Sequence, residues 1–443
     1  MDTKLSAYAK QSAPRYTSYP PATHFTPQID RTDLQKWLAA LPTDAKLSLY
    51  IHVPYCREIC WYCGCNTFAT RRDEPLDDFV ETLRREIDLI AAAATTNRLA
   101  AIHWGGGTPN ILTPERFARI ARHIEFWFDL DSSGEHAIEL DPRTLMRPQV
   151  ETYAAFGVTR ASLGVQDLND HVQRAIGRIQ PFACVARAVH MLRSAGIRGI
   201  SMDVMYGLPQ QTTEDVRRTV RRAAELAPDR MAVFGYAHVP WFKKRQRLID
   251  EQALPGEAER FEQAAIAREE LLAAGYEPIG IDHFARPDDP LAIAARQGKA
   301  RRSFQGYALE AGDATIGIGP SAISSLRAGY AQNAPDVAAW RRAIDGGRLA
   351  TTRGHELSPE DHRRAALIER IMCEFSGDLD MLGRDVELTP EREALRLLQQ
   401  DGLVQLEGHH LTIPEDARPF ARIVAAVFDT YARQGVARHS RVV

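Results

Sequence analysis

Four cysteines crowd into one short stretch: Cys56, Cys60, Cys63 and Cys65, spaced C-x3-C-x2-C-x-C. Thiolates are soft ligands, suited to iron–sulfur clusters, zinc or copper(I). Structural zinc usually takes its ligands in two pairs set well apart along the chain. Here the first three cysteines fit one loop, and the fourth stands two residues past the third. Three thiolates can hold three corners of a [4Fe–4S] cluster. The open iron then offers a place for a small molecule with an amine and a carboxylate. Zinc is the plainer alternative.

The elements that must position this loop are legible as apolar runs. Leu47 to Val53 reads as a buried strand, and Pro54 stops it. Strands and helices then alternate. Leu99 to Trp104 ends in Gly105-Gly106-Gly107-Thr108-Pro109, and Ala137 to Leu140 carries Glu139 and ends at Asp141-Pro142. Thr159 to Val165 ends at Gln166-Asp167, Gly199 to Met205 carries Asp203, and Met231 to Tyr236 precedes Ala237-His238. Helical spacing fills the gaps, at Pro75 to Ala94, Pro114 to Phe128, Pro181 to Ala195, Glu214 to Leu226 and Glu257 to Ala274. Such alternation means a parallel sheet with right-handed crossovers, as a partial or full barrel or as a doubly wound open sheet. In parallel α/β barrels the active site lies at the carboxyl ends of the strands, where these polar and glycine residues gather. For the glycine run by itself, a tight strand-to-helix turn is the plainer reading.

The bulk numbers bound the rest. The 443 residues exceed the size at which a single core usually splits, so one large and one smaller domain are expected. The formal charge is −3 with both signs interspersed, which gives no field for nucleic acid. No apolar run approaches a membrane helix, and the N-terminus lacks a signal-peptide core. Of six cysteines four are clustered, which suits a reducing cytoplasm; Cys184 and Cys373 read as small buried hydrophobes. His52 and His103 read as core residues, whereas His238 and His283 fall in expected loops. DRTDLQKWLAAL, from Asp30, reads as a short amphipathic helix. From about Glu356, helices at Pro359 to Glu374 and Pro390 to Asp401, a hairpin over 402–413 and a final helix from Pro419 to Arg433 suggest a winged-helix-like module. Without a basic stripe, its expected role is to cap the barrel.

The cysteine loop after a strand resembles the signature of the radical S-adenosylmethionine (SAM) superfamily, and GGGTP resembles that superfamily's motif for the methionyl amine of SAM. C-x3-C-x2-C-x-C followed by Asn66 resembles the narrower family of oxygen-independent coproporphyrinogen III oxidases. The likeness runs from Pro14 to the ending FDTYARQGVARHSRVV. It implies an α/β fold: a partial (β/α)6-type barrel over 46–355, an N-terminal segment over 1–45 near the active site, and a mostly helical, winged-helix-like capping domain over 356–443. The implied reaction is anaerobic oxidative decarboxylation of two propionates of coproporphyrinogen III to vinyl groups, giving protoporphyrinogen IX by way of SAM-derived 5′-deoxyadenosyl radicals.

The resemblance also implies roles. Cys56, Cys60 and Cys63 would hold the [4Fe–4S] cluster. Cys65 would be required without ligating, and Tyr62 would pack on the cluster or the adenine. Tyr50, Tyr62, Gly106, Glu139 and Ile323 would contact a first SAM molecule. Gly107, Thr108, Gln166, Arg178, Asp203 and Ala237 would contact a second. The structural alternative for Arg178 and Asp203 is that they pair with each other. Arg15, in the Tyr- and Pro-rich PRYTSYPPA stretch, would meet a substrate propionate; a disordered tail is the plainer reading of that stretch. A low-potential electron donor is implied, with a monomer in the cytoplasm and no nucleic acid or membrane partner. The related haem-chaperone-like proteins lack the fourth cysteine, so Cys65 argues against haem binding.

Overall fold

The computed structural model describes Tyr8 and residues 11–309, 312–383 and 386–432. Its centre is a sheet of twelve strands. The first, β1 (Leu47–Val53), is flanked by parallel partners on both sides and is buried along nearly its whole length. That is why its sequence reads as an unbroken apolar run rather than an alternation. Beside it follow β2 (Arg98–Gly106), β3 (Asp129–Leu140), β4 (Arg160–Gln166), β5 (Gly199–Tyr206) and β6 (Arg230–Gly235), each parallel to the last. The crossovers include α1 (Glu74–Ala93), α2 (Pro114–Trp127), α3 (Arg147–Ala155), α4 (Phe182–Ser194) and α5 (Thr213–Glu225). The expected β–α alternation is thus the observed one. Thr212 opens α5 with a capping box: its side chain accepts from the Asp215 amide, and Asp215 accepts in return.

Antiparallel strands extend both edges. On the β1 side lie β9 (Ala314–Ile318), parallel to β1, then β10 (Ile323–Leu326), β11 (Gly329–Asn333) and β12 (Thr351–Glu356). On the β6 side lie β8 (His283–Ala285) and β7 (Glu277–Ile279). Among the described residues the two ends do not pair, so the parallel strands form a partial barrel. His283, expected in a loop, therefore sits in a strand. Periodicity could not reveal a strand of only three residues.

The C-terminal module follows the expected pattern. Helix α6 (Pro359–Glu374), helix α7 (Thr389–Gln400) and the hairpin of Gln405–Glu407 with His410–Thr412 pack around Leu367, Ile371, Leu395, Leu411, Phe420 and Phe428. The final helix differs. A 3-10 turn over Glu415–Phe420 contains Pro419, and the α-helix spans only Ala421–Ala426. Beyond it Asp429 accepts from the amides of Tyr431 and Ala432, a local turn that competes with helix. Arg433, where that helix was expected to end, lies outside the described residues.

The N-terminal stretch is folded where it is described. Ala13, Tyr16 and Tyr19 are buried in the C-terminal module's own core. The Tyr16 hydroxyl donates to Asp429 Oδ2 at 3.0 Å, Tyr19 pairs with Thr430 at 3.1 Å, and Arg422 Nε donates to the Pro14 carbonyl at 2.9 Å. The disordered-tail reading does not hold for these residues; the first seven residues, together with residues 9 and 10, lie outside the described set.

Candidate active site

Past β1 the chain turns at Pro54 and carries the cysteines across the carboxyl ends of the strands. Backbone bonds tie the loop down: Phe68 N to Pro54 O at 2.8 Å, Thr70 N to Cys56 O at 2.9 Å and Trp61 N to Ile176 O at 3.0 Å. The four cysteines line one cavity of about 210 Å³. Tyr62, Gly106, Gly107, Thr108, Glu139, Gln166, Arg178 and Asp203 share that lining. Residues from five successive strands and their following loops thus meet in one place.

The glycine run meets a close approach as well as a turn. Gly106 has φ +109°, in the region that favours glycine. A Cβ on Gly107 would stand 2.7 Å from the Tyr55 carbonyl oxygen, so any side chain would push the cysteine loop away. Thr108 then places its hydroxyl 3.1 Å from Cys56 Sγ. The Cys63 thiol is lowered to about 6, first by its hydrogen bond with Cys65.

Glu139, on β3, is held at the cavity by two bonds. Its Oε1 pairs with His103 Nε2 at 2.9 Å, and its Oε2 accepts from the Gly106 amide at 3.3 Å. Burial pulls the His103 pKa down, but the hydrogen bond and charge of Glu139 outweigh it and leave it raised. Tyr50, expected to contact the first SAM, does not line the cavity; it stacks on His103, the partner of Glu139, with ring centroids 5.8 Å apart. Asp203 is pushed up to about 7, first by burial and then by the Glu139 charge. Its hydrogen-bonding neighbour is Ser162, at 3.4 Å.

Arg178 does not pair with Asp203. Its Nη2 donates to the Gly164 carbonyl at 2.8 Å, and its Nη1 lies 3.4 Å from both Asp141 Oδ2 and Cys60 Sγ. Arg143 joins the group, with Nη2 at 2.6 Å from Asp141 Oδ2 and 3.8 Å from Cys60 Sγ. Burial would raise the Asp141 carboxyl, but the two guanidiniums hold it below its usual range. The Arg178 Nε is buried without a partner among the described residues. Asp141, Arg143 and Ser162 all line the cavity and escaped the sequence reading. Their signal was weak: Asp141-Pro142-Arg143 only marks a strand end.

Ala237 and Ile323 do not line this cavity. Ile323 belongs to β10, beyond β9 from β1. Ala237 lines a second, larger cavity of about 1020 Å³, together with Arg15, Tyr206, Tyr236, His238, Arg260, Asp282 and Arg422. Arg15 donates to the Gly235 carbonyl at 3.1 Å, and Arg260 to the Tyr236 carbonyl at 3.0 Å. Arg302 Nε reaches the Arg15 carbonyl at 2.9 Å, and its Nη1 lies 3.6 Å from Asp282. Arg422 is pushed down to about 9, first by burial and then by Arg15 and Arg302. Five arginines, Arg15, Arg260, Arg268, Arg418 and Arg422, line the cavity with four acids, Glu251, Asp282, Glu415 and Asp416. Glu415 is held by Arg268 and Glu251 by His238, so guanidiniums outnumber carboxylates and can receive an anionic ligand.

The donor set fits an iron–sulfur cluster: four soft thiol side chains line one cavity of about 210 Å³. No described helix is long and apolar enough to cross a membrane.

Comparison with known proteins agrees with this geometry. The model of the radical SAM superfamily matches residues 50–223. The oxygen-independent coproporphyrinogen III oxidase of Bradyrhizobium diazoefficiens is 48% identical over 99% of this chain and 98% of its own length. That of Escherichia coli is 35% identical over 98% of this chain and 96% of its own. The solved structure of coproporphyrinogen III oxidase from Escherichia coli, described as a radical SAM enzyme, superposes with a TM-score of 0.90 at 33% identity, covering 95% of this chain and 100% of that one.

Proposed function

The chain belongs to the oxygen-independent coproporphyrinogen III oxidases of the radical SAM superfamily, and from that premise we propose how its two cavities divide the work. The reaction is the anaerobic oxidative decarboxylation of two propionates of coproporphyrinogen III to vinyl groups, a step of haem biosynthesis. The [4Fe–4S] cluster and SAM, when bound, supply one-electron cleavage of SAM and hydrogen abstraction from the propionate.

The chain's own residues bind, orient and shield. Cys56, Cys60 and Cys63 hold the cluster, with the guanidiniums of Arg178 and Arg143 beside Cys60 to offset thiolate charge. Glu139 and the Gly106 backbone hold the first SAM molecule, with Tyr50 stacked on His103, the partner of Glu139. Gly107, Thr108, Gln166 and Asp203 face the same cavity and hold the second, the Asp203 carboxylate accepting from ribose hydroxyls. Arg178 serves the cluster and the second SAM together.

The larger cavity takes the porphyrinogen. Its arginine-rich wall is the observation that carries this assignment, because the substrate has four carboxylates and guanidinium forks match them. Arg15, Arg260 and Arg422 receive propionates. The N-terminal segment and the C-terminal module close the cavity: Ser12 and Arg15 line it from one, and Glu415, Arg418 and Arg422 from the other. This supports the division into 1–45, 46–355 and 356–443, with the last as a cap. The enzyme works as a cytoplasmic monomer with a separate low-potential donor, and needs neither nucleic acid nor membrane.

Anaerobic incubation with coproporphyrinogen III, SAM and dithionite tests the reading. Protoporphyrinogen IX should form with two CO2 released. Reconstituted protein that cleaves SAM but releases no CO2 would overturn it.

A further inference from the structure

We propose that the loop from Trp241 to Leu248 is the docking surface for the electron donor, and that the donor is a small acidic one-electron carrier protein. The inference rests on the cluster assignment above and adds the landing site of the carrier.

Two observations carry it. First, the loop is exposed, aromatic and basic at once. Phe242 is 73% exposed and Leu248 is exposed beside it, while Trp241, 54% exposed, stands where the loop meets the larger cavity, which it also lines. Lys243, Lys244, Arg245 and Arg247 supply four positive charges with no acid before Asp250. That acid is turned to local use, accepting from the Gln252 amide at 3.0 Å, while Glu251 pairs with His238 at 3.0 Å. Exposed aromatics ringed by charge of one sign mark an interaction surface rather than a solvated face.

Second, the loop is fastened to the cysteine loop. Gln246, fully buried, donates to the Tyr62 carbonyl at 2.9 Å, and Lys243 Nζ donates to the Cys65 carbonyl at 3.2 Å. Ile249 packs in one buried group with Trp61 and Tyr62. The basic patch therefore rides one hydrogen bond away from the backbone that carries Cys60, Cys63 and Cys65. A negatively charged carrier drawn to it arrives beside the cluster loop. A lipid surface or a nucleic acid would gain nothing from that position.

The step balances simply. The reduced carrier loses one electron, the oxidised cluster gains it, and no bond forms or breaks. The protein's share is steering, which raises association rates about 10- to 1000-fold and fades with salt.

The test uses reconstituted holoenzyme and a photoreduced acidic [2Fe–2S] ferredoxin as the probe. Stopped-flow absorbance reads cluster reduction, and calorimetry reads ferredoxin affinity, each at low and high salt. The triple variant Lys244→Glu, Arg245→Glu, Arg247→Glu should lose at least about 10-fold in both at low salt, and most of its salt dependence. Its turnover with dithionite and its SAM binding should match wild type, so failure of the docking site is distinguishable from failure of the catalytic reading. Wild-type ferredoxin kinetics and affinity in the triple variant would overturn the proposal. So would a wild-type cluster that ferredoxin cannot reduce. A variant that keeps the ferredoxin rate but no longer co-sediments with phosphatidylserine vesicles would overturn it in favour of a lipid surface.

Discussion

Arg178 reaches across 118 positions of sequence to bring its Nη1 within 3.4 Å of Cys60 Sγ. The contact couples the turn after β4 to the cysteine loop after β1. Its removal is structurally mild, because both other partners are doubly served. Asp141 keeps Arg143 at 2.6 Å, and the Gly164 carbonyl keeps Gln180 at 3.1 Å. Arg178→Ala should therefore cost no more than about 1–3 kcal/mol of stability and retain the cluster. It should reduce bound SAM from two molecules to one, as read by anaerobic equilibrium binding of labelled SAM. Unchanged stoichiometry would remove Arg178 from the second site.

The cysteines should separate into two classes. Cys56→Ser, Cys60→Ser and Cys63→Ser each remove one of three protein ligands and should leave no cluster after reconstitution. Cys65→Ser should keep iron and sulfide at wild-type levels and lose turnover. Iron and sulfide analysis of the four proteins decides this, and a cluster-free Cys65→Ser would refute the ligand assignment.

Arg15 lines the larger cavity, and its donation to Gly235 holds it there. Arg15→Ala should raise KM for coproporphyrinogen about 10-fold or more, the worth of a hydrogen bond to a charged group. Cluster content and SAM stoichiometry should stay unchanged. A lowered kcat at constant KM would place Arg15 in some other role.

Glu86 gives a prediction about pH. Its buried carboxyl accepts from Gly319 N and Asn333 Nδ2, each at 2.7 Å, and from Trp340 Nε1 at 2.9 Å. Burial nevertheless pushes its pKa up from 4.5 to about 7, the three donors offsetting only part of that. Between those values the native state keeps a proton that the unfolded chain releases. Its contribution to stability therefore falls as pH rises from about 4.5 to about 7, then levels. The total is about 3 kcal/mol. Glu86→Gln cannot titrate, so the melting temperature of wild type relative to this variant should drop between pH 5 and pH 8. A constant difference would mean that Glu86 stays ionised throughout.

Much of this molecule is local in origin. The β–α alternation, the strand that delivers the cysteine loop, the capped helices and the C-terminal hairpin follow from apolar period and turn chemistry, which act over a few residues. The ligand spacing is local too, since three thiolates in one short loop need no distant partner. The final helix is shorter than its apolar period predicts, because the period continues past Ala426 while Asp429 turns the chain and accepts the Tyr16 hydroxyl from the opposite terminus. A sequence window cannot contain such a competitor.

What tertiary structure alone decided is which polar groups meet. Glu139, Gln166 and Asp203 were legible as strand-end residues, yet their shared cavity exists only because parallel strands align those ends. Arg178 chose Asp141 and Cys60 rather than Asp203 because barrel curvature sets guanidinium reach, and no spacing rule encodes it. Ala237 faces the larger cavity, and Ile323 sits on an interior strand of the antiparallel extension, two strands from β1, for the same reason. Arg15 shows the division most plainly. Its sequence neighbourhood fitted a loose tail, but burial of Tyr16 and Tyr19 in the C-terminal core fixes it at the cavity wall. Ligand type and spacing are properties of short covalent chain, and so the sequence determined the chemistry; the company each charge keeps depends on burial and long-range closure, which only the folded chain supplies.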